Sequence, residues 1–463
     1  MTDKINKELH LSESMQNLKE KIRKHKLMRW KRIITAAFLG FMIIFGSYLL
    51  LEYRTYENTR VIRTYKGDSS ADGSYKMFGD SVLKYTKDGM TLIDQKGKEI
   101  WNHSYQIKNP IIEINHEVAA IGDSGGNSII VIDHEGIKGE IETTQPIEKL
   151  SISTNGIVAA VLKDEVSPKV MCYDSTGNIL VENKVSAAKD GYPVEIALSN
   201  DGTTLIVSYL HVQSGALASN VVYYNFGDAG REEKNNQVAG ESYTGQIVPS
   251  AFFMDDETSV LVGESGFYIY EGTDKPKLKK EVKFDTEIKS VYHTEKYIGF
   301  VLKAKDKKGY EICLYNQKGQ RTMSKKFQGD YAHVKMVGET VMMYDGVNCC
   351  IYTANGVKRF AGQFQDKILD IVPVGGINTY TVDEYQRNPE SSSGKIEGEK
   401  RNGSDKLDGS HCYGNFCDQY LQWLSKRVFQ ALCFLLLRHF YGDTGEYPYA
   451  TCRGSNHEVD VCG

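Results

Sequence analysis

Seven times between residues 75 and 383 an apolar, strand-like run ends in a short polar turn containing glycine, and a second strand-like run follows. The instances are LIDQKGKEIW (Leu92 to Trp101), VIDHEGIKG (Val131 to Gly139), CYDSTGNIL (Cys172 to Leu180), YYNFGD (Tyr223 to Asp228), IYEGTD (Ile269 to Asp274), LYNQKGQ (Leu314 to Gln320) and IYTANGVK (Ile351 to Lys358). Counted from the residue after each apolar pair, the steps are 39, 41, 51, 46, 45 and 37 residues. Asp or Asn bonds its own backbone two residues on, and Gly takes the positive φ that a hairpin reversal demands. The uninterrupted runs Ile129 to Ile132 and Val221 to Tyr224 indicate strands buried on both faces. A second hairpin precedes each turn by about twenty residues, as in LSISTNGIVAAVL (Leu150 to Leu162), IALSNDGTTLIVSYL (Ile196 to Leu210) and FFMDDETSVLVG (Phe252 to Gly263). Two hairpins make four strands in about 44 residues, the size of a propeller blade. An all-β propeller of seven, or eight, blades over residues 75–383 is therefore expected. A row of β-sandwiches would need separable units of about 100 residues with linkers between them. Sustained helical periodicity is missing from the region, so helical repeats are dropped.

Ahead of the repeat, residues 33–51 run nineteen positions without a charge. As a helix they are about 28 Å long, against roughly 30 Å for a bilayer's hydrocarbon core. Ile33, Phe38, Phe41, Ile44 and Leu51 are taken as anchor residues of this span. A buried helix of a soluble fold seldom runs so far without a polar break. A cleaved leader would have a shorter apolar region and a small-x-small site, which LLLEYRTYE lacks. The basic group Arg23, Lys24, Lys26, Arg29, Lys31 and Arg32 stands immediately before the span, and Glu52 and Glu57 follow it. That asymmetry predicts a retained, single-pass signal anchor with the N-terminus inside and the remaining 412 residues outside.

Charge sharpens the division. Residues 1–32 hold ten Lys/Arg against four Asp/Glu, a net of +6, and the whole chain is −4, so the rest carries −10. An acidic exterior argues against nucleic acid, whose affinity for proteins comes largely from Lys/Arg neutralising phosphates. Residues 53–390 contain only Cys172, Cys313, Cys349 and Cys350, so the exported part has to stand on its own core rather than on disulfides. The expected order is a basic cytoplasmic segment (1–32), an anchor (33–51), a juxtamembrane segment (52–74), the propeller (75–383), a polar linker (384–410) and a cysteine-containing tail (411–463). Ring closure is expected between Gly376–Val382 and Thr59–Tyr65, with nothing used beyond Asp383. SSSGKIEGEKRNGSDKLDGS cannot bury a core. The tail beyond it reads either as an extension without a fold of its own or as an amphipathic helix from Asp418 onward.

The run from Leu92 to Trp101 resembles the repeat of quinoprotein-like propellers, in which an apolar-Asp-x-x-Gly-x-x-x-Trp phrase closes each blade. Only this unit keeps the tryptophan. In layout, with a basic N-terminus, one anchor and an exported degenerate propeller, the chain resembles a family of uncharacterised clostridial single-pass membrane proteins known only as a domain of unknown function. That resemblance implies a membrane propeller and brings no activity with it.

Several motifs invite chemistry. Gly122-Asp123-Ser124-Gly125-Gly126 spells the nucleophile loop of trypsin-like proteases, but a serine nucleophile needs a positioned histidine and aspartate. Neither His103 nor His116 has the right context, and a hairpin turn accounts for the string. Cys349-Cys350 resembles the vicinal disulfide of some quinoprotein dehydrogenases, yet the repeated docking tryptophans of those enzymes are missing, and packing of two small thiols is the plainer reading. Cys412, Cys417 and His411 lack a second ligand pair for zinc. The turns Asn200-Asp201-Gly202 and Asp255-Asp256-Glu257 fall short of a calcium loop. No metal, cofactor or catalytic residue is assigned. His103, His116, His134, His211, His293 and His333 share no position in the unit. The expected function is a non-enzymatic, membrane-anchored extracytoplasmic module that binds a protein or envelope component. The alternative is a small-ligand sensor or quinoprotein-like enzyme using the propeller channel.

Overall fold

The computed structural model describes residues 2–56, 61–64, 73–385 and 411–413, apart from 96, 165–166, 187–189, 214, 306–308, 328–332 and 375–378. Thr2–Glu52 form a single helix, α1. The basic segment and the apolar span, expected as two stretches, are thus one continuous element. Its part from Arg23 to Leu50 is long and apolar enough to cross a membrane, and none of its most apolar window is buried against the rest of the fold.

The remainder is a ring of four-stranded antiparallel sheets. Seven are built from four consecutive strands each: residues 74–104, 110–142, 147–184, 192–244, 250–283, 288–327 and 333–363, here blades 1 to 7. The innermost strand of each blade comes first in sequence, and the four strands step outward by hairpins. The first strands are Ser74–Phe78, Pro110–Asn115, Ile147–Ile152, Tyr192–Leu198, Ser250–Phe253, Ile288–His293 and His333–Val337. The expected seven units are these seven blades.

In four of the seven units the recurring turn has one geometry. Asp94, Asp174 and Asn316 each accept, through side-chain Oδ1, the backbone N–H four residues on, from Lys98, Asn178 and Gln320, and the Thr353 hydroxyl does the same for Val357. Gly97, Gly177, Gly319 and Gly356 take φ of 75°, 91°, 67° and 78°. The turn feeds a register shift at the start of each outer strand, which twists that strand away from its neighbour. The longest step in the repeat, 51 residues, reflects blade 4, whose middle strands Thr204–Gln213 and Ala216–Asn225 are ten residues each. That blade also holds the short helix Asp228–Arg231, in the only unit that departs from strands and turns among the described residues of the ring.

An eighth sheet fills the remaining place. Its inner strands are Lys367–Pro373 and Tyr380–Tyr385, its third strand is His411–Tyr413, and its outer strand is Val61–Thr64. Direct pairing of the region before Asp383 with residues 59–65 was expected, and this is corrected. His411–Tyr413 pairs with Tyr380–Val382 on one edge and Val61–Thr64 on the other. A sheet closed by only two consecutive strands leaves its ladder of backbone groups open, and the first residues of the tail fill it. The linker was expected over 384–410, but Glu384 and Tyr385 belong to the strand Tyr380–Tyr385; residues 386–410 and 414–463, including the amphipathic stretch, lie outside the described residues.

Apolar clusters fill every interface in turn. Phe78, Leu83, Ile121 and Ile132 join blades 1 and 2, and Phe252, Val260, Phe300 and Cys313 join blades 5 and 6. Tyr75, Val82, Val372 and Val374 join the eighth sheet back to blade 1. At this seam the Asp370 carboxylate accepts the Tyr75 N–H at 3.1 Å, the Lys335 ammonium at 2.9 Å and the Tyr344 hydroxyl at 3.2 Å. Lys335 also donates to the Tyr75 carbonyl at 2.9 Å, so one cluster links blades 7, 8 and 1.

Removing the carboxylate strands a largely buried ammonium and an N–H, a loss of about 2–3 kcal/mol. Asp370→Ala is expected to lower the thermal midpoint of the full chain by about 3 °C or more in calorimetry. Lys169→Ala, which breaks the Lys169–Glu182 pair near the rim, is expected to shift it by under about 1 °C. Equal shifts would show that the seam does not depend on this cluster.

Candidate functional site

The inner strands enclose a channel that opens on a cavity of about 1390 Å³. A strand facing a lumen alternates between core-facing and lumen-facing residues, and the lumen-facing side cannot all be apolar where water enters. The outcome is a ring of charges. In blade order it reads Lys76, Glu113, Lys149, Glu195, then Phe252 and His293, then Lys335 and Asp370. Signs alternate among these six charges; in blade 6 the residue after the register shift that precedes Lys149, Glu195 and Asp370 is Ser290, and His293 lies nearer the mouth.

Two pairs within this ring are direct. Lys149 Nζ meets Glu195 Oε2 at 2.9 Å, and Lys335 meets Asp370 at 2.9 Å. Lys76 and Glu113 form no such pair. Lys76 Nζ donates instead to the Ile112 carbonyl at 2.9 Å, and the Glu113 carboxylate makes no hydrogen bond among the described residues. Loss of bulk water pushes the Lys76 ammonium down against the pull of Glu113, and pushes the Glu113 carboxyl up against the pull of Lys76. Opposite them, the His293 and Phe252 rings stack with centroids 3.8 Å apart and planes 4° apart. His293 is exposed, but only to the lumen. Its imidazole is pushed down to about 4, first by removal from bulk water and then by the charge of Lys76.

The loops joining first and second strands surround the channel mouth and are tied to one another. The Gly79 N–H donates to the His116 carbonyl, Thr154 N–H to the Asn200 carbonyl and Asp201 N–H to Asp256 Oδ1. Gln317 Nε2 donates to Asp255 Oδ2 and to the Glu295 carbonyl, and Lys296 pairs with Glu339. His116 Nε2 and Glu295 Oε1, from blades on opposite sides of the ring, approach to 3.1 Å.

The sequence-derived candidates settle as follows. Ile33, Phe38, Phe41 and Ile44 are exposed along α1, as are Arg23, Lys24, Lys26, Arg29, Lys31 and Arg32. Leu51 lies in α1, and its side chain is outside the described part. Asp123 Oδ1 accepts the Asn109 N–H, and Ser124 and Gly125 donate backbone N–H groups to Asn109 and Ile147, as a blade-linking turn would. Cys349 and Cys350 are free and buried, facing opposite sides of their strand into the cores with blade 8 and blade 6. Asp201 accepts within its own turn from Ser199 and Thr203, and Asp255 accepts from Glu257 and Thr258 in its turn and from Gln317 of blade 6. Trp101 Nε1 donates to the His134 carbonyl at 3.0 Å, tying blade 1 to blade 2. Although the histidines share no position in the repeat, His116, His134 and His293 all reach the cavity. Sequence reasoning missed the charged ring. Its signal was present as one charge between two apolar residues in the first strand of five units: Tyr75-Lys76-Met77, Ile112-Glu113-Ile114, Val194-Glu195-Ile196, Val334-Lys335-Met336 and Leu369-Asp370-Ile371.

Residues 52–387 match a family of unknown function, DUF5711. No curated protein matches the chain. Similar solved structures include the computationally designed Ika8 protein, at 12% identity and a TM-score of 0.46 over 70% of this chain and 96% of that one. BamB from Moraxella catarrhalis has 9% identity and a TM-score of 0.45 over 71% and 97%. Apo AztD from Citrobacter koseri has 9% identity and a TM-score of 0.45 over 66% and 89%.

With His293 titrating near 4 when folded and about 6.5 when unfolded, the unfolded chain binds more protons between those values. Its contribution to stability is complete above about pH 6.5 and is lost as pH falls toward 4. Glu113, raised on folding, acts with the opposite sign, so the two are separated by comparison with His293→Asn. The midpoint of the wild type minus that of the variant is expected to shrink between about pH 7 and pH 4.5. A constant difference would contradict the assigned environment.

Proposed function

Since the chain belongs to DUF5711, a family whose description carries no activity, we propose from geometry that it is a membrane-tethered recognition propeller. In this reading α1 holds it in the bilayer, and the loops at the channel mouth bind a protein or envelope component without catalysis. The observation that carries the reading is the cross-bonding of those loops. A surface already fixed by contacts between neighbouring blades loses little entropy on binding, which favours recognition. The loops carry Asp80, Glu117, Asp201, Asp256, Glu257 and Glu339, so a partner with a basic surface fits best.

The tether supports a particular orientation. The Tyr56 N–H donates to the Arg359 carbonyl at 2.8 Å and its carbonyl accepts from Ala361 at 3.0 Å, a parallel bridge to Phe360. The strand Lys358–Gln363 starts at the mouth side and runs away from it, so α1 approaches from the mouth side. From Glu52 to Tyr56 the chain reaches at most about 14 Å. The mouth therefore faces the bilayer in this proposal, and its partner is itself held at the membrane. The tip of the long blade 4 hairpin, with Val212 and Leu217 exposed, points away.

Protease added to intact spheroplasts is expected to remove the propeller and spare α1; a fully protected propeller would reverse the topology. The binding role is tested by crosslinkers placed at Lys296→Cys on the mouth and Val212→Cys on the far hairpin, in intact membranes. A discrete adduct with a membrane protein is expected from the mouth position. Adducts from the far position alone, or from neither, would sink the proposal.

A further inference from the structure

The lumen contains a second feature, independent of whether the mouth loops take a partner. In a ring of eight sheets, blade 1 stands opposite blade 5 and blade 2 opposite blade 6. Lys76 and Glu113 therefore face Phe252 and His293 across the channel. One wall offers an ammonium and a carboxylate on neighbouring blades, and the opposite wall offers the His293 ring, backed by the buried Phe252.

These groups differ from the rest of the ring in being unspent. Lys149–Glu195 and Lys335–Asp370 neutralise each other at 2.9 Å. Lys76 uses one N–H on the Ile112 carbonyl, and neither Glu113 nor the imidazole nitrogens of His293 are engaged by any hydrogen bond among the described residues. His293 is packed on one face by Phe252 and presents the rest of its ring to the lumen. The Glu113 carboxylate is exposed to the lumen and the Lys76 ammonium is half-buried, so both stand open to a ligand in the channel. A ligand that carries both opposite charges pairs with both groups at once, with no net charge brought into the channel.

We propose that the channel binds a small zwitterion bearing an aromatic or bulky apolar group. Its carboxylate meets Lys76, its ammonium meets Glu113 and its apolar group lies against His293. Single cations and single anions fit less well, because each satisfies one of the two charges and leaves the other bare. The shared chemistry belongs to free aromatic amino acids and to short peptides with an aromatic residue. The cavity of about 1390 Å³ has room for either.

The test is isothermal titration of the full chain in nanodiscs with L-phenylalanine and with the dipeptide glycyl-phenylalanine. N-acetyl-phenylalanine, which lacks the ammonium, and phenylalaninamide, which lacks the carboxylate, serve as comparisons. At least one zwitterion is expected to bind, and Glu113→Gln and Lys76→Gln are each expected to weaken it by about tenfold or more. N-acetylation should cost the wild type a similar factor and cost Glu113→Gln little further, and this arm holds even if one variant folds poorly. Binding of phenylalanine identifies a free amino acid as the ligand type, and binding of the dipeptide alone identifies a peptide. No binding of either probe up to roughly 10 mM, or binding indifferent to N-acetylation and to both substitutions, would overturn the proposal.

Discussion

A ring of sheets stands only if its last blade meets its first, and here that junction rests on one carboxylate. Asp370 accepts from a backbone N–H of blade 1, an ammonium of blade 7 and a tyrosine hydroxyl of blade 7. The apolar contribution at this seam is small, with four buried residues where other interfaces have nine or more. Polar contacts carry more of the closure here than elsewhere. Covalent continuity adds to them, since Val61–Thr64 comes from the N-terminal side and Lys367–Pro373 from the C-terminal side of the same sheet. Opening the ring therefore requires breaking both a hydrogen-bonded cluster and a strand ladder built from distant parts of the chain.

That construction has a consequence for the anchor. The chain leaves α1, pairs briefly with blade 7 through Tyr56, and then enters the eighth sheet. The tether is thus attached at the closing seam rather than at an arbitrary edge. A force on α1 would be delivered to the contact between Tyr56 and Phe360 and to the outer strand of blade 8, before reaching any other blade. The apolar side chains of α1, among them Phe38, Phe41 and Ile43, are exposed and covered by no other described part of the protein. Lipid is the environment in which such a surface is stable.

Much of this fold was legible in the sequence because the repeat is built from local bonds. The turn at Asp94, Asp174 and Asn316 bonds its own backbone within four residues, so its signature survives in the order of residues alone. Ring closure was not legible in the same way. His411–Tyr413 follows a polar stretch with no apolar pattern, and its strand state depends on a place between Tyr380–Val382 and a strand, Val61–Thr64, from the far end of the chain. The continuity of α1 into the basic segment was also missed, since charge there marked topology and masked a helix. The lumen was half legible. A single charge within an apolar strand recurs at Lys76, Glu113, Glu195, Lys335 and Asp370, but attention to histidines alone passed over it. Blade 3 hides the pattern because Glu148 precedes Lys149, so the lysine is not flanked by apolar residues on both sides.

Parity explains why the lumen keeps free charges at all. Six charged positions alternating in sign could pair completely as three neighbours, and two of the three do. The third would be Lys76 with Glu113, but the Lys76 ammonium is held by the carbonyl of Ile112, the residue just before Glu113. That bond fixes the lysine against the backbone of blade 2 and short of its carboxylate. Turning to Glu113 would strand the Ile112 carbonyl, a cost comparable with the gain of an exposed ion pair. The same alternation that stabilises the seam at blades 7 and 8 therefore leaves one unsatisfied pair at blades 1 and 2. It lies across the channel from His293 and Phe252, which line the same cavity.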